Sequence, residues 1–132
     1  MNSEKAAGFF IVDDEEYLIN CYREVLGYLG LEARFFTSSE EALSAAKTEK
    51  PAVVLTDYSM PKLNGVELAR ELTGSDPAVH VIIATGHMGE QYEELEEQIG
   101  EMDNVEMVAK PLKIREVLAR VEEILQGGGS SQ

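Results

Sequence analysis

Asp57 follows the apolar run Ala52-Val53-Val54-Leu55-Thr56 and precedes Tyr58-Ser59-Met60-Pro61-Lys62-Leu63-Asn64-Gly65. That pattern puts a carboxylate at the C-terminal end of a buried strand, in a loop bearing Pro and Gly. Other polar groups end apolar runs in the same way: Asp13-Asp14 after 9–12, Thr85 after 79–84 and Lys110 after 105–109. In an open α/β sheet this is the rim where ligands and reactive groups gather. Carboxylates, a hydroxyl and an ammonium on one rim could bind a phosphoryl group from several sides. They could also support its transfer onto Asp57, a reaction that depends on in-line positioning and charge neutralisation.

Carboxylates from Asp13, Asp14 and Asp57 repel one another at close range, so either some stay protonated or a cation holds them together. All-oxygen ligands at a solvent-facing rim suit Mg²⁺, or a similar divalent ion such as Mn²⁺. The ion would take one phosphoryl oxygen, Lys110 a second, and Thr85 Oγ with backbone N–H groups a third, with Asp57 as nucleophile. Each piece has a plainer alternative. Asp13-Asp14 could cap a helix, Lys110 could be a surface lysine and Thr85 an ordinary strand end.

The elements that must position these residues alternate in type along the chain. Strands are expected at 9–12, about 32–36, 52–56, 79–84 and 105–109. Between them lie helical patterns, the first carrying Leu18, Cys21, Tyr22, Val25, Leu26 and Leu29 on one stripe and ending at Gly30. Ser38 with Glu41 gives a capping-box pattern for a helix to about residue 47. Asn64-Gly65 turns the chain into a short helix over about 66–72, which Gly74, Asp76 and Pro77 break. A further helix spans about 90–99, and the last presents Ile114, Val117, Leu118, Val121, Ile124 and Leu125 on one face. This alternation predicts an α/β fold: a doubly wound, five-stranded parallel sheet of order 2-1-3-4-5 with five flanking helices.

Composition narrows the function classes. At 132 residues the chain is expected to form one domain, residues 8–126, with 1–7 and 127–132 as flexible termini, a linker or an expression remnant. The lone cysteine, Cys21, excludes an internal disulfide framework and fits a reducing cytosol. No apolar run reaches membrane-span length and residues 1–8 show no signal-peptide pattern, so a soluble, cytoplasmic protein with no membrane partner is expected. A net charge of −14 argues against direct nucleic-acid binding. Residues 89–109 hold eight acidic residues (Glu90, Glu93, Glu94, Glu96, Glu97, Glu101, Asp103, Glu106) and no basic one. They form either a solvated face or a docking surface for a basic partner.

The acidic pair, the Asp followed by Met-Pro and Asn-Gly, the Thr and the Lys-Pro occur in the order and spacing of a known family. From about Phe9 to Leu125 the chain resembles the receiver domain of two-component response regulators, the CheY-like, flavodoxin-like fold. The resemblance implies that Asp57 accepts a phosphoryl group from a phosphohistidine of a sensor histidine kinase or phosphotransfer protein. It implies that Asp14, Asp57 and the Ser59 backbone carbonyl bind Mg²⁺ directly, with Asp13 acting through water. Lys110 would pair with the phosphoryl group, Thr85 would move toward it as the switch, and the Lys110–Pro111 bond would be cis. No turnover enzyme is expected, only self-phosphorylation and autodephosphorylation. The output would be a downstream protein contact or a linked domain outside this sequence.

The chain departs from the family pattern at two places. Met107 stands where the family usually has Tyr or Phe, so the usual Thr–aromatic coupling lacks its ring. Leu112 follows Lys-Pro where many members have an aromatic. His87 and Ser59, two residues after Thr85 and Asp57, occupy positions that influence phosphate lifetime in the family; a solvent-exposed loop histidine is the plainer reading of His87. A second function class is a degenerate receiver-fold interaction module that acts without phosphorylation. A third, an aspartyl-phosphate phosphohydrolase, would place Asp-x-Asp after the first strand, where this chain has Asp13-Asp14-Glu15. A weak homodimer could pair the acidic helix with Lys113, Arg115 and Arg120.

Overall fold

The structure is a computed structural model and describes residues 8–127. Of the expected flexible segments 1–7 and 127–132, residues 1–7 and 128–132 lie outside the described residues, whereas Gly127 is described, its N–H donating to the Ile124 carbonyl at 2.9 Å. The strands are β1 (Phe9–Val12), β2 (Arg34–Phe36), β3 (Val53–Asp57), β4 (His80–Thr85) and β5 (Val105–Ala109). The helices are α1 (Glu16–Leu29), α2 (Ser39–Glu49), α3 (Gly65–Ser75), α4 (Gly89–Ile99) and α5 (Ile114–Leu125). All pairings are parallel and the sheet order is β2-β1-β3-β4-β5, as expected.

Helices on both faces explain why β1 and β3 are buried along their whole length. Alternate strand residues feed two cores. Phe10, Val12, Val54, Val81 and Ile83 pack against Ala42 of α2, Leu68 and Leu72 of α3, and Leu95 and Ile99 of α4. Phe9, Ile11, Val53, Leu55 and Ile82 pack against Tyr22 and Leu26 of α1 and Val117, Leu118 and Val121 of α5. A fully buried side chain of this size stabilises the fold by about 1.5–3 kcal/mol. The outer strands differ from this rule: β5 is half-buried along most of its length, and only Phe36 of β2 is buried.

Element ends follow local chemistry. Gly30 closes α1 in the left-handed region at φ 70°, and its N–H donates to the Leu26 carbonyl. Ser38 caps α2, its side chain accepting from the Glu41 N–H at 3.2 Å. The reciprocal capping box forms at α3: Asn64 Oδ1 accepts from the Glu67 N–H, and Glu67 Oε1 from the Asn64 N–H, both at 2.9 Å. Gly74 lies inside α3 rather than ending it, and the helix stops only before Asp76 and Pro77.

Candidate functional site

Three backbone hydrogen bonds carry the sheet ladder past the strand ends. Asp13 N–H donates to the Phe36 carbonyl at 2.9 Å, Tyr58 N–H to Ala84 at 2.7 Å and Lys110 N–H to Thr85 at 2.8 Å. Register therefore aligns Asp13, Asp57, Thr85 and Lys110 on one rim, with Asp57 level with Ala84 and Thr85 with Ala109. The Lys110–Pro111 bond is cis. α3 begins hard against this rim. A Cβ on Gly65 would lie 2.9 Å from Tyr58 Cα and from Ile83 Cγ2, and 3.1 Å from the Asp57 carbonyl oxygen. Only glycine permits that approach, and the Gly65 N–H donates to the Tyr58 carbonyl at 2.8 Å.

The rim brings Asp13, Asp14 and Asp57 together, with one carboxylate oxygen from each within 4.8 Å of the others. Asp13 and Asp57 are buried and Asp14 is exposed. Lys110 Nζ is 2.5 Å from Asp57 Oδ1, a charge-assisted contact that fixes one oxygen of the central carboxylate. Burial pushes the Asp13 carboxyl up to about 6, and the nearby Asp57 and Asp14 charges add to that. The Glu15 N–H, which donates to Asp13 Oδ1 at 2.9 Å, and Lys110 oppose it. Asp13 thus binds backbone rather than capping α1, whose N-cap, Glu15, makes no side-chain cap bond. With all three ionised, three carboxylates face one ammonium, an excess of two negative charges. An oxygen-only donor set with that excess and one solvent-open member fits a divalent cation such as Mg²⁺.

Thr85 is buried, and its hydroxyl is engaged by His87: Oγ1 lies 2.8 Å from His87 Nδ1 and accepts from the His87 N–H at 3.0 Å. His87 is half-buried rather than the solvent-exposed loop residue of the plainer reading. Its ring meets Tyr58 edge-on, with centroids 5.1 Å apart. Ser59 is exposed in the loop just beyond. Met107 sits opposite Ile83 on β5 and packs into the core beneath α3 and α4, whereas Leu112 packs beneath α1 and α5. Tyr22, read from the sequence only as core, lies near enough for the site to act on it. Burial, then the Asp13 and Asp57 charges, hold its hydroxyl well above the usual range and keep it protonated. Nothing in an apolar helical stripe distinguishes such a tyrosine from its neighbours.

A family model for the response regulator receiver domain matches residues 9–122. The chain belongs to that family. Among curated relatives, it is 32% identical over 117 residues to the alkaline phosphatase synthesis transcriptional regulatory protein PhoP of Bacillus subtilis, covering 88% of this chain and 47% of that protein. It is also 32% identical over 117 residues to the transcriptional regulatory protein CreB of Escherichia coli, covering 89% of this chain and 50% of that protein. This receiver thus spans about half the length of those two relatives. Among solved structures, the BeF3-activated receiver domain of DrrB, a Thermotoga maritima protein, superposes with a TM-score of 0.75 at 26% identity, covering 89% of this chain and 96% of that one.

The receiver's acidic helix is mostly a solvated face. Seven of the eight acidic residues between 89 and 109 are exposed, and the eighth, Glu106, is half-buried. Arg120 Nη2 donates to Glu106 at 2.9 Å and Nη1 to Glu123 at 3.1 Å. Arg120 is thus engaged within its own chain, whereas Lys113 and Arg115 are exposed. Among the described residues no helix is long and apolar enough to cross a membrane.

Proposed function

We propose that this receiver domain is the phosphoacceptor of a two-component signalling pathway, with Asp57 as the residue modified. The observation that carries the reading is the Asp57 carboxylate itself, paired at 2.5 Å with Lys110 and clustered with Asp13 and Asp14 on one rim. In the reaction an Asp57 carboxylate oxygen attacks phosphorus, the bond from phosphorus to the donor imidazole nitrogen breaks, and that nitrogen recovers a proton. Lys110 orients the nucleophile beforehand by holding one of its oxygens and balances charge on the phosphoryl oxygens afterwards. Thr85, one residue up the rim from Ala84, is the nearest hydroxyl donor on the neighbouring strand. Mg²⁺ or Mn²⁺, held by Asp13, Asp14, Asp57 and the Ser59 carbonyl, would supply charge neutralisation for both the carboxylates and the incoming phosphoryl group.

The donor in this reading is a histidine kinase or phosphotransfer protein, and the output is a changed contact with a protein target or a linked domain. The excess of acidic residues disfavours direct nucleic-acid contact. The protein acts in the cytoplasm, and its only chemistry is its own phosphorylation and dephosphorylation. Intact-mass measurement after incubation with acetyl phosphate and Mg²⁺ tests the assignment. Wild type should gain one phosphoryl group, and should fail to do so when the divalent ion is chelated or Asp57 is changed to Asn. Equal labelling of Asp57→Asn and wild type would refute the site. A wild type that gains nothing would favour an interaction module working without phosphate.

A further inference from the structure

Thr85 is 1% exposed, so its hydroxyl hydrogen must find an acceptor inside the protein. A threonine hydroxyl has one hydrogen to give and two lone pairs to share. The His87 N–H already donates to Oγ1 at 3.0 Å, and His87 Nδ1 lies 2.8 Å from the same oxygen. Among the described residues these are the hydrogen bonds recorded for that hydroxyl. If Nδ1 carried the ring proton, two donors would converge on Oγ1 and the threonine hydrogen would have no acceptor. The arrangement that satisfies every group has Thr85 donating to Nδ1, with the ring proton on Nε2.

The ring is held to this task. It packs edge-on against Tyr58, at an interplanar angle of 88°. Tyr58 is fixed in turn by its N–H bond to Ala84 and by the Asn64 Nδ2, which donates to its hydroxyl at 3.4 Å. Asn64 caps α3. The imidazole therefore sits in a frame built from the end of β3 and the start of α3.

We infer that His87 is a positioning residue for Thr85, holding its hydroxyl hydrogen away from Asp57 so that a phosphoryl group there must compete with His87 Nδ1 for one donor. The inference rests on the reading of Asp57 as phosphoacceptor. Its consequence is that His87 opposes the phosphorylated state. When Thr85 turns to the phosphoryl group, the imidazole loses its partner beside Tyr58 and the start of α3. The change then has an aromatic route out of the site that does not pass through Met107.

Beryllofluoride, a phosphoryl mimic, can be titrated with Mg²⁺ into the 132-residue chain and followed by amide NMR. His87→Phe keeps a ring against Tyr58 but removes the nitrogen. It should bind about two- to tenfold more tightly than wild type, the range expected when one neutral hydrogen bond no longer competes. His87→Asn, whose side-chain oxygen can accept where Nδ1 did, should return toward wild-type affinity. In a Thr85→Val background His87→Phe should change nothing. Equal affinity for wild type and His87→Phe, or the same gain without the threonine hydroxyl, overturns the inference. Ring ¹⁵N shifts of the unliganded wild type give a check that needs neither ligand nor variant: a proton on Nδ1 overturns it and a proton on Nε2 supports it. A wild type with no beryllofluoride response overturns the phosphoacceptor reading, and this inference falls with it, whatever the tautomer.

Discussion

Asp13 is a carboxylate whose environment opposes its own charge. It is 3% exposed, and burial together with Asp57 and Asp14 raises its carboxyl to about 6 from the ordinary 3.8. Ionised at neutral pH, it costs the metal-free fold free energy that a neutral amide would not. Asp13→Asn should therefore raise the stability of the metal-free protein by ~1–2 kcal/mol. The same change should lower Mg²⁺ affinity by about tenfold. Thermal denaturation with and without Mg²⁺ reads both effects; a variant whose midpoint falls without Mg²⁺ contradicts the first. The cluster was legible in the sequence because a parallel sheet leaves few places for a polar residue that ends an apolar run. Asp13, Asp14, Asp57, Thr85 and Lys110 all obey that rule. The His87–Thr85 hydrogen bond and the nearness of Tyr22 do not, because a loop dihedral and a helix rotation decide them and neither leaves a periodic trace.

At the scale of elements, α3 is the most tightly constrained, because its first residue touches the loop that carries Asp57. A methyl group at Gly65 meets backbone on one side and a core isoleucine on the other. Gly65→Ala should cost about 1–3 kcal/mol as an overpacking change, despite alanine's better helix propensity. Amide shifts of Asp57 and Tyr58 should move with it. Urea unfolding that shows Gly65→Ala as stable as wild type would contradict the close approach. The box at Asn64 gives a second test: Asn64→Ala should lose ~1 kcal/mol in the same measurement. Periodicity located every element but misjudged some ends, for local reasons. β2 is shorter than the expected 32–36, because an edge strand needs pairing only where β1 faces it, from Phe10 to Val12. α3 passes Gly74 because a helix tolerates one glycine at modest cost. Ser38 and Asn64 carry the same pattern three residues before Glu, yet of the two only the pair at Asn64 closes reciprocally.

Over the whole molecule, a titratable histidine and the threonine of the candidate site sit at opposite ends of one strand. His80 opens β4 and Thr85 closes it. Burial, then the Arg120 charge, lower the His80 pKa from 6.5, with Glu106 opposing. The unfolded chain therefore takes up this proton more readily than the fold, so stability falls as pH drops through about 6.5 and the contribution is flat above it. His80→Gln should flatten the decline between pH 7 and 5 and leave Mg²⁺ binding at pH 7.5 unchanged. A decline of equal slope in both proteins would remove His80 from the account. The net charge of −14 acts everywhere, and the outward face of α4 carries much of it into solvent rather than into the core. Asp13 follows β1 and is held by β2, and Lys110 follows β5 and is held by β4, so the rim draws on both the first and the last strands of the domain. A nascent chain that has exposed Asp13, Asp14 and Asp57 still lacks the ammonium that pairs with Asp57. Ribosomal emergence of β5 therefore brings Lys110 to the carboxylate cluster, and the rim is completed with the end of the domain rather than its middle.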